Sequence, residues 1–239
     1  MKSKSILIAS VILAITGCQS VPSKPLNAQH TAEISKYTAA PAQVSTNRID
    51  FNKVKKQEKR PIVALVLGSG GARGYAHIGA IQVLEQQGIK PDFIVGTSAG
   101  SIVGSLYASG KNAAELRKIA LDLKANDVRD IRLDMKGFFD GKKVEDFINQ
   151  QVEDVPLELL KTPMYVVATE LKDGKKVVFN YGNTGQAVRA SVSIPSMFIP
   201  TVIENTEYVD GGLVSPVPVD VARELGADII IAVDILARP

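Results

Sequence analysis

Ile62-Val63-Ala64-Leu65-Val66-Leu67 runs straight into Gly68-Ser69-Gly70-Gly71-Ala72-Arg73-Gly74. An unbroken apolar run with β-branched members and no alternation predicts a strand buried on both faces. The glycines after it permit a tight loop. Behind the loop, Ile78, Ile81, Val83 and Leu84 recur at roughly helical spacing as far as Gly88, a helix stop. The same order then returns: Pro91-Asp92-Phe93-Ile94-Val95 reads as a short strand and Gly96-Thr97-Ser98-Ala99-Gly100 as a turn. A helix through Ile102, Val103, Leu106 and Tyr107 follows, ending near Gly110. Strand, loop, helix, strand, turn and helix is the order of an α/β fold, a mainly parallel sheet with helices on its faces.

Downstream, residues 111–160 are polar, with apolar positions at helical intervals (Leu116, Ile119, Ala120, Leu123; Val144, Phe147, Ile148). They predict two or three amphipathic helices and a Gly137-Phe138-Phe139-Asp140-Gly141 loop, a candidate cap beside the site. Residues 164–169 return to strand, and Asp173-Gly174 turns a hairpin into Val177-Val178-Phe179. Val202-Ile203 and Tyr208-Val209 make a second hairpin around Asn205-Thr206. A helix after Pro216 and Pro218 leads to a last strand over 228–233. No internal repeat is present.

The composition narrows the function. With 45% hydrophobic and 22% charged residues among 239, the chain folds rather than remaining disordered. One cysteine excludes a disulfide framework, and two histidines cannot build a Cys/His zinc cluster. The net charge of +3 hides an asymmetry, because the basic excess lies wholly ahead of residue 61 and the remainder is mildly acidic. That argues against a nucleic-acid-binding face.

Lys2 and Lys4 precede an apolar run from Ile6 to Ile15. The run is too short to span a hydrocarbon core of roughly 30 Å and fits the apolar region of a signal peptide. It ends in Ile15-Thr16-Gly17-Cys18, which resembles a bacterial lipobox. The resemblance implies cleavage after residue 17 and acylation of Cys18, whose acyl chains would hold the protein on a membrane. Gln19, where an Asp would favour the inner membrane, implies the periplasmic side of the outer membrane if the cell has one. An ordinary signal peptide with an incidental cysteine reads the same residues. Residues 19–60 hold Pro22, Pro25, Pro41, many polar residues and the basic cluster Lys53-Val54-Lys55-Lys56-Gln57-Glu58-Lys59-Arg60, without an apolar period. They read as a flexible tether whose basic cluster either touches anionic head groups or is merely solvated. The expected organisation is a leader over 1–17, a tether over 18–60 and a folded domain over 61–239.

Three segments carry chemistry. Gly96-Thr97-Ser98-Ala99-Gly100 matches G-x-S-x-G between a strand and a helix, the context of a nucleophile elbow with Ser98 at its apex between Gly96 and Gly100. A small-residue strand-to-helix turn gives the same pattern by chance. Serine needs a base, yet His30 and His77 both precede Ser98, so the α/β-hydrolase order of serine, acid and histidine is unavailable. A carboxylate with a raised pKa can serve instead, and Asp210 in Tyr208-Val209-Asp210-Gly211-Gly212 is the candidate. An Asp-Gly turn accounts for that segment equally. The loop 68–74 can line up amides as an anion-binding nest, for an oxyanion or for a phosphate. A dinucleotide fingerprint from Gly68 and Gly70 would require glycine where Arg73 stands, and the P-loop pattern also fails around Gly110-Lys111.

Taken together, these residues resemble the patatin-like phospholipases, especially their bacterial, neuropathy-target-esterase-like branch. The match comprises the 68–74 loop, the 96–100 turn and Asp210-Gly211-Gly212, in that order. It also includes Val188-Arg189-Ala190-Ser191 through Ile194-Pro195 to Phe198 and Pro200, and Leu213-Val214-Ser215-Pro216-Val217-Pro218. The resemblance covers about residues 61–235. It implies a three-layer α/β/α fold and a Ser98–Asp210 dyad, with the amides of Gly70 and Gly71 as oxyanion hole and Arg73 supporting their loop. The implied reaction cleaves fatty-acyl esters of phospholipids or lysophospholipids at a membrane surface, with no cofactor and no metal. A general esterase or thioesterase shares that chemistry, and an envelope lipoprotein retaining the fold as a binding module is the reading of another class. No protein partner is readable. The chain stops soon after Asp234 without the further helical region family members often carry, and so reads as a minimal or truncated domain.

Overall fold

The computed structural model describes residues 40–46, 49–128, 130–134 and 137–236. The expected leader, Cys18 and the tether residues up to 39 lie outside the described residues.

The first strand, β1 (Val63–Leu67), sits between two parallel neighbours. On one side β2 (Phe93–Thr97) pairs in register Ala64 with Phe93. On the other, β9 (Ile229–Val233) pairs Val63 with Ile229. Next to β2, also parallel, lies β5 (Met164–Glu170). Three antiparallel strands complete a seven-stranded sheet: β6 (Lys176–Phe179), β7 (Thr201–Ile203) and β8 (Thr206–Asp210). The order is β7-β8-β5-β2-β1-β9, with β6 also paired to β5.

Alternate residues of the central strands feed two cores. Leu65, Leu67, Ile94, Val166 and Ala168 face one side. There they meet α2 (Tyr75–Gln86), α3 (Ala99–Ala108), α4 (Ala113–Asp122), the short α5 (Ala125–Val128), α6 (Lys142–Gln151) and α7 (Thr184–Val192). Ala64, Val66, Phe93, Val95, Tyr165 and Val167 face the other, against Phe51 of α1 (Phe51–Glu58) and Val221 and Ala222 of α8 (Val219–Glu224). Burial on both faces is why β1 reads as an unbroken apolar run. The expected three-layer α/β/α fold is the observed one.

Two expectations are corrected. The tether does not extend to residue 60, because α1 packs on the domain. Asp50 caps it by accepting from the Lys53 amide, and the Phe51 ring centroid lies 4.4 Å from that of Phe93. The basic cluster is partly paired: Lys55 with Asp228, and Arg60 Nη1 with Asp92 Oδ2 at 2.9 Å. Further back, the Gln43 amide donates to Tyr181 O at 2.9 Å and that of Ala42 to Gln186 Oε1 at 2.8 Å. A single aromatic anchor and backbone pairing leave no hydropathy period to detect. The loop expected at 137–141 is in part a strand: β4 (Gly137–Phe139) pairs with β3 (Ile131–Asp134). Its amides at Phe138 and Phe139 also donate to Met197 O. Gly137 permits that approach, since a Cβ there would sit 2.5 Å from the Phe198 carbonyl carbon. Among the described residues no helix is long and apolar enough to cross a membrane.

Candidate active site

The sheet topology alone brings the three motifs together. Parallel β1 and β2 end side by side, so the loop 68–74 and the turn 96–100 leave the same sheet edge. On β5, Val167 pairs with Thr97, and the next residue, Ala168, pairs with Asp210. Because β6 also pairs with Val166 to Thr169, it takes the other edge of β5, and β2 and β8 meet end to end along the first. Ser98, one residue past β2, therefore faces the last residue of β8.

Ser98 sits at φ 53° and ψ −120° at the start of α3, a backbone conformation rare for a residue with a side chain. Its hydroxyl donates to Asp210 Oδ2 at 2.6 Å, and both residues are buried. The elbow is tight because its flanks lack side chains: a Cβ on Gly100 would lie 2.0 Å from Leu67 O, and one on Gly96 2.6 Å from Gly100 O. Asp210 is held on every side. Its Oδ1 accepts from the Gly212 amide at 2.6 Å, its amide donates to Ser193 O at 2.9 Å, and its carbonyl accepts from Thr169 Oγ1 at 2.9 Å. Burial raises its pKa above the ordinary carboxylate value; the bonds from Ser98 and Gly212 offset only part of this.

The loop 68–74 is fastened at its start, where Gly68 N donates to Val233 O and Ser69 N to Pro216 O at 2.7 Å. His77 Nε2 donates to Gly68 O at 2.8 Å from a fully buried ring. Gly71 adopts φ +55°. Each pair of motifs touches. Gly74 abuts Ala99, Gly212 abuts Ser69, and Ser98 bonds Asp210. Arg73 is exposed, and its Nε reaches Gly70 O at 3.5 Å, the outer limit of a hydrogen bond, while its amide donates to the same oxygen at 3.2 Å. His77 does not join the serine. Its Nε2 is engaged by Gly68 and its Nδ1 has no partner.

The sequence reading assigned no role to α7, yet this helix and the residue after it hold both Ser98 and Asp210. Ser191 Oγ accepts from the Ser98 amide at 2.8 Å and donates to Val167 O at 2.6 Å. Just past the helix end, Ser193 receives the Asp210 amide. Arg189 ties α7 to α6 through Asp140 and Glu145. Seven of the nine α7 positions are buried, which leaves only a narrow polar stripe at Gln186 and Arg189. Its start is marked by the capping residue Asn183, which accepts from the Gln186 amide.

Among the described residues no group of His, Cys, Asp and Glu is placed to hold a metal ion. The site can do one piece of chemistry directly: a carboxylate 2.6 Å from a serine hydroxyl can take its proton as the oxygen attacks an electrophile.

Residues 65–223 match the family described as patatin-like phospholipase. An NTE family protein of Mycobacterium tuberculosis is 37% identical over 177 residues, covering 73% of this chain and 49% of that protein. Human patatin-like phospholipase domain-containing protein 6 is 31% identical over 195 residues, covering 78% of this chain and 14% of that protein. The chain thus spans about half the length of the mycobacterial relatives it matches. Among solved structures, VipD from Legionella pneumophila covers 74% of this chain and 49% of its own, at 16% identity and TM-score 0.47.

Proposed function

The chain belongs to the patatin-like phospholipase family, and from that premise we propose that it is a serine acyl hydrolase. It cleaves fatty-acyl esters of phospholipids or lysophospholipids at a membrane surface, with Ser98 and Asp210 as a dyad. The observation that carries the reading is the 2.6 Å bond from Ser98 Oγ to Asp210 Oδ2, with His77 engaged elsewhere.

In this mechanism Asp210 Oδ2 takes the proton as Ser98 Oγ attacks the ester carbonyl carbon. The amides of Gly70 and Gly71 and the N-terminal end of α3 stabilise the oxyanion, the Arg73 segment bracing the loop. The tetrahedral intermediate collapses, breaking the bond to the leaving alcohol, which departs with the proton from Asp210. Water then gives a proton to the same carboxylate and attacks the acyl-serine. Fatty acid leaves, and the proton returns to Ser98. Every proton taken is given back, so the cycle closes on two residues.

Membrane location rests on Ile15-Thr16-Gly17-Cys18, the pattern of an acylated cysteine. If Cys18 is the anchor, Cys18→Ser releases the protein from the membrane fraction; unaltered processing and attachment would refute it.

The test is incubation of the full chain with defined phospholipids, lysophospholipids and short esters, with mass detection of products, beside Ser98→Ala. Fatty acid released from the lipids and lost in the variant supports the reading. Turnover of short esters alone makes the protein a general esterase. No turnover, together with no Ser98-dependent labelling by a fluorophosphonate, makes it a binding module.

A further inference from the structure

The loops around Ser98 and Asp210 present apolar side chains to solvent. Leu213 is 60% exposed, with Val214 beside it, in the turn that follows Asp210. Across the backbone bond from Asp210 to Ser193 stands Ile194, whose carbonyl accepts from the amide of Met197, 47% exposed. Met197 O in turn accepts from the Phe138 amide at 3.0 Å, and Phe138 is 60% exposed. On the other side, Gly212 abuts Ser69 of the glycine loop. The segments 68–75, 190–200 and 211–219 hold one charged residue, Arg73, where the chain average of 22% would give about six. Asp140, two residues from Phe138, is paired with Arg189. The basic cluster 53–60 lies elsewhere. Lys55 pairs with Asp228 and Arg60 with Asp92, the residues just before β9 and β2, whereas Ser98 follows β2. The five residues of β2, at about 3.3 Å each, put roughly 16 Å between the two edges.

We propose that this nearly uncharged rim is the face that docks on a lipid bilayer, by apolar insertion and not by attraction of the basic cluster. The partner rests on the phospholipase reading; the choice of face rests on the geometry. Exposed apolar groups gain by leaving water. Segments with no carboxylate and a single cation approach phosphate head groups without repulsion. Apolar side chains lying in a membrane interface reach about 5–10 Å into it. That is less than the roughly 16 Å to the opposite sheet edge, so a bilayer touching the rim does not touch α1. Docking on the rim brings a lipid ester to the loops that hold Ser98 and Asp210. Docking through α1 would turn those residues away from the bilayer.

The chain has no tryptophan, so a single introduced one reports its own surroundings. Phe138→Trp, Leu213→Trp and, on α1, Lys56→Trp are each made in the full chain carrying Ser98→Ala. Each protein is mixed with vesicles of phosphatidylcholine brominated in its acyl chains. Bromine is expected to quench the Phe138→Trp and Leu213→Trp reporters at least about 3-fold more than Lys56→Trp. The difference is expected to persist from about 0.05 to 0.5 M salt, because apolar insertion is not screened. Quenching greatest at Lys56→Trp, or equal at all three, overturns the proposal, as does quenching that requires phosphatidylserine or vanishes in salt. No quenching at any position also overturns it and marks the rim as covered by something other than lipid. In a second measurement, Phe138→Glu alone is expected to lower hydrolysis of vesicle phospholipid about 10-fold, while kcat/KM on a water-soluble short ester stays within about 2-fold. An equal loss on both substrates, or none on vesicles, removes Phe138 from the docking face. Rim quenching without hydrolysis of any lipid sustains the docking face and fails the hydrolase reading alone. Lipid hydrolysis with quenching only on α1 does the reverse.

Discussion

Ser191 Oγ accepts a hydrogen bond from the Ser98 amide at 2.8 Å and donates one to Val167 O at 2.6 Å. The residue it steadies is the one with the uncommon backbone, φ 53°. Strain of that kind costs of order 1–3 kcal/mol and persists only where neighbours over-determine it. Here the neighbours are Gly96 and Gly100 below, and α7 from the side. With the Asp210 amide bound to Ser193 O, a single segment aligns Ser98 and Asp210 together.

Ser191→Ala leaves the Ser98 amide and the Val167 carbonyl without this partner in a buried place. The expected result is a loss of about 1–3 kcal/mol in stability. Misalignment of the nucleophile is expected to lower kcat about 10- to 100-fold with KM nearly unchanged. Steady-state kinetics on one ester, set beside a denaturant melt, checks it. A stability loss with kcat intact would show that Ser191 serves the fold and not the nucleophile.

Ser98→Ala and Asp210→Asn are expected to lower turnover by at least 10²-fold, the least a positioned base contributes. They should differ in stability. Asn at 210 can still accept from the Gly212 amide and can donate to Ser98 Oγ, while removing a charge that burial disfavours. Asp210→Asn should therefore melt at or above the wild-type temperature at pH 7, and scanning calorimetry reads this directly. A clearly lower melting temperature would mean that the carboxylate stabilises the fold, contrary to the direction of its pKa.

The parallel core was legible because β1 and β2 are buried on both faces and write that burial into unbroken apolar runs. The three motifs were legible because each needs glycine where backbone approaches backbone, as at Gly100 against Leu67 O. What the sequence concealed follows from the same physics. α7 is buried at seven of its nine positions, so nothing in its narrow polar face singles out Ser191 or the Ser193 that follows it. α1 docks mainly through Phe51, with Val54 beside it, in a strongly polar segment. The end-to-end meeting of β2 and β8 is a property of register on β5, to which no local pattern is sensitive.

The acid limb of kcat/KM should report Asp210. The base works only when ionised, and burial holds its pKa above the ordinary value near 3.9. Activity should thus fall as pH drops through a midpoint higher than that of a free carboxyl. Adding salt should move the midpoint little, because the group is buried. A limb centred at or below 3.9 would indicate that the carboxylate in the free enzyme is stabilised rather than destabilised.

His77 carries an opposite signature, visible in stability. Burial lowers its pKa from the ordinary 6.5, with the bond to Gly68 O pulling weakly the other way. Below pH 6.5 the unfolded chain takes up a proton that the folded ring refuses. His77 therefore leaves stability intact above pH 6.5 and removes it as pH falls towards the folded pKa. His77→Gln, which can still donate to Gly68 O, should flatten that part of the stability curve. The 68–74 loop stays fastened, so activity at pH 7.5 should remain within a few-fold. Urea midpoints measured from pH 7.5 down to 5 on both proteins test this. Parallel curves would show that His77 titrates the same in both states, and a collapse of activity in the Gln variant would make the imidazole itself part of the loop's function.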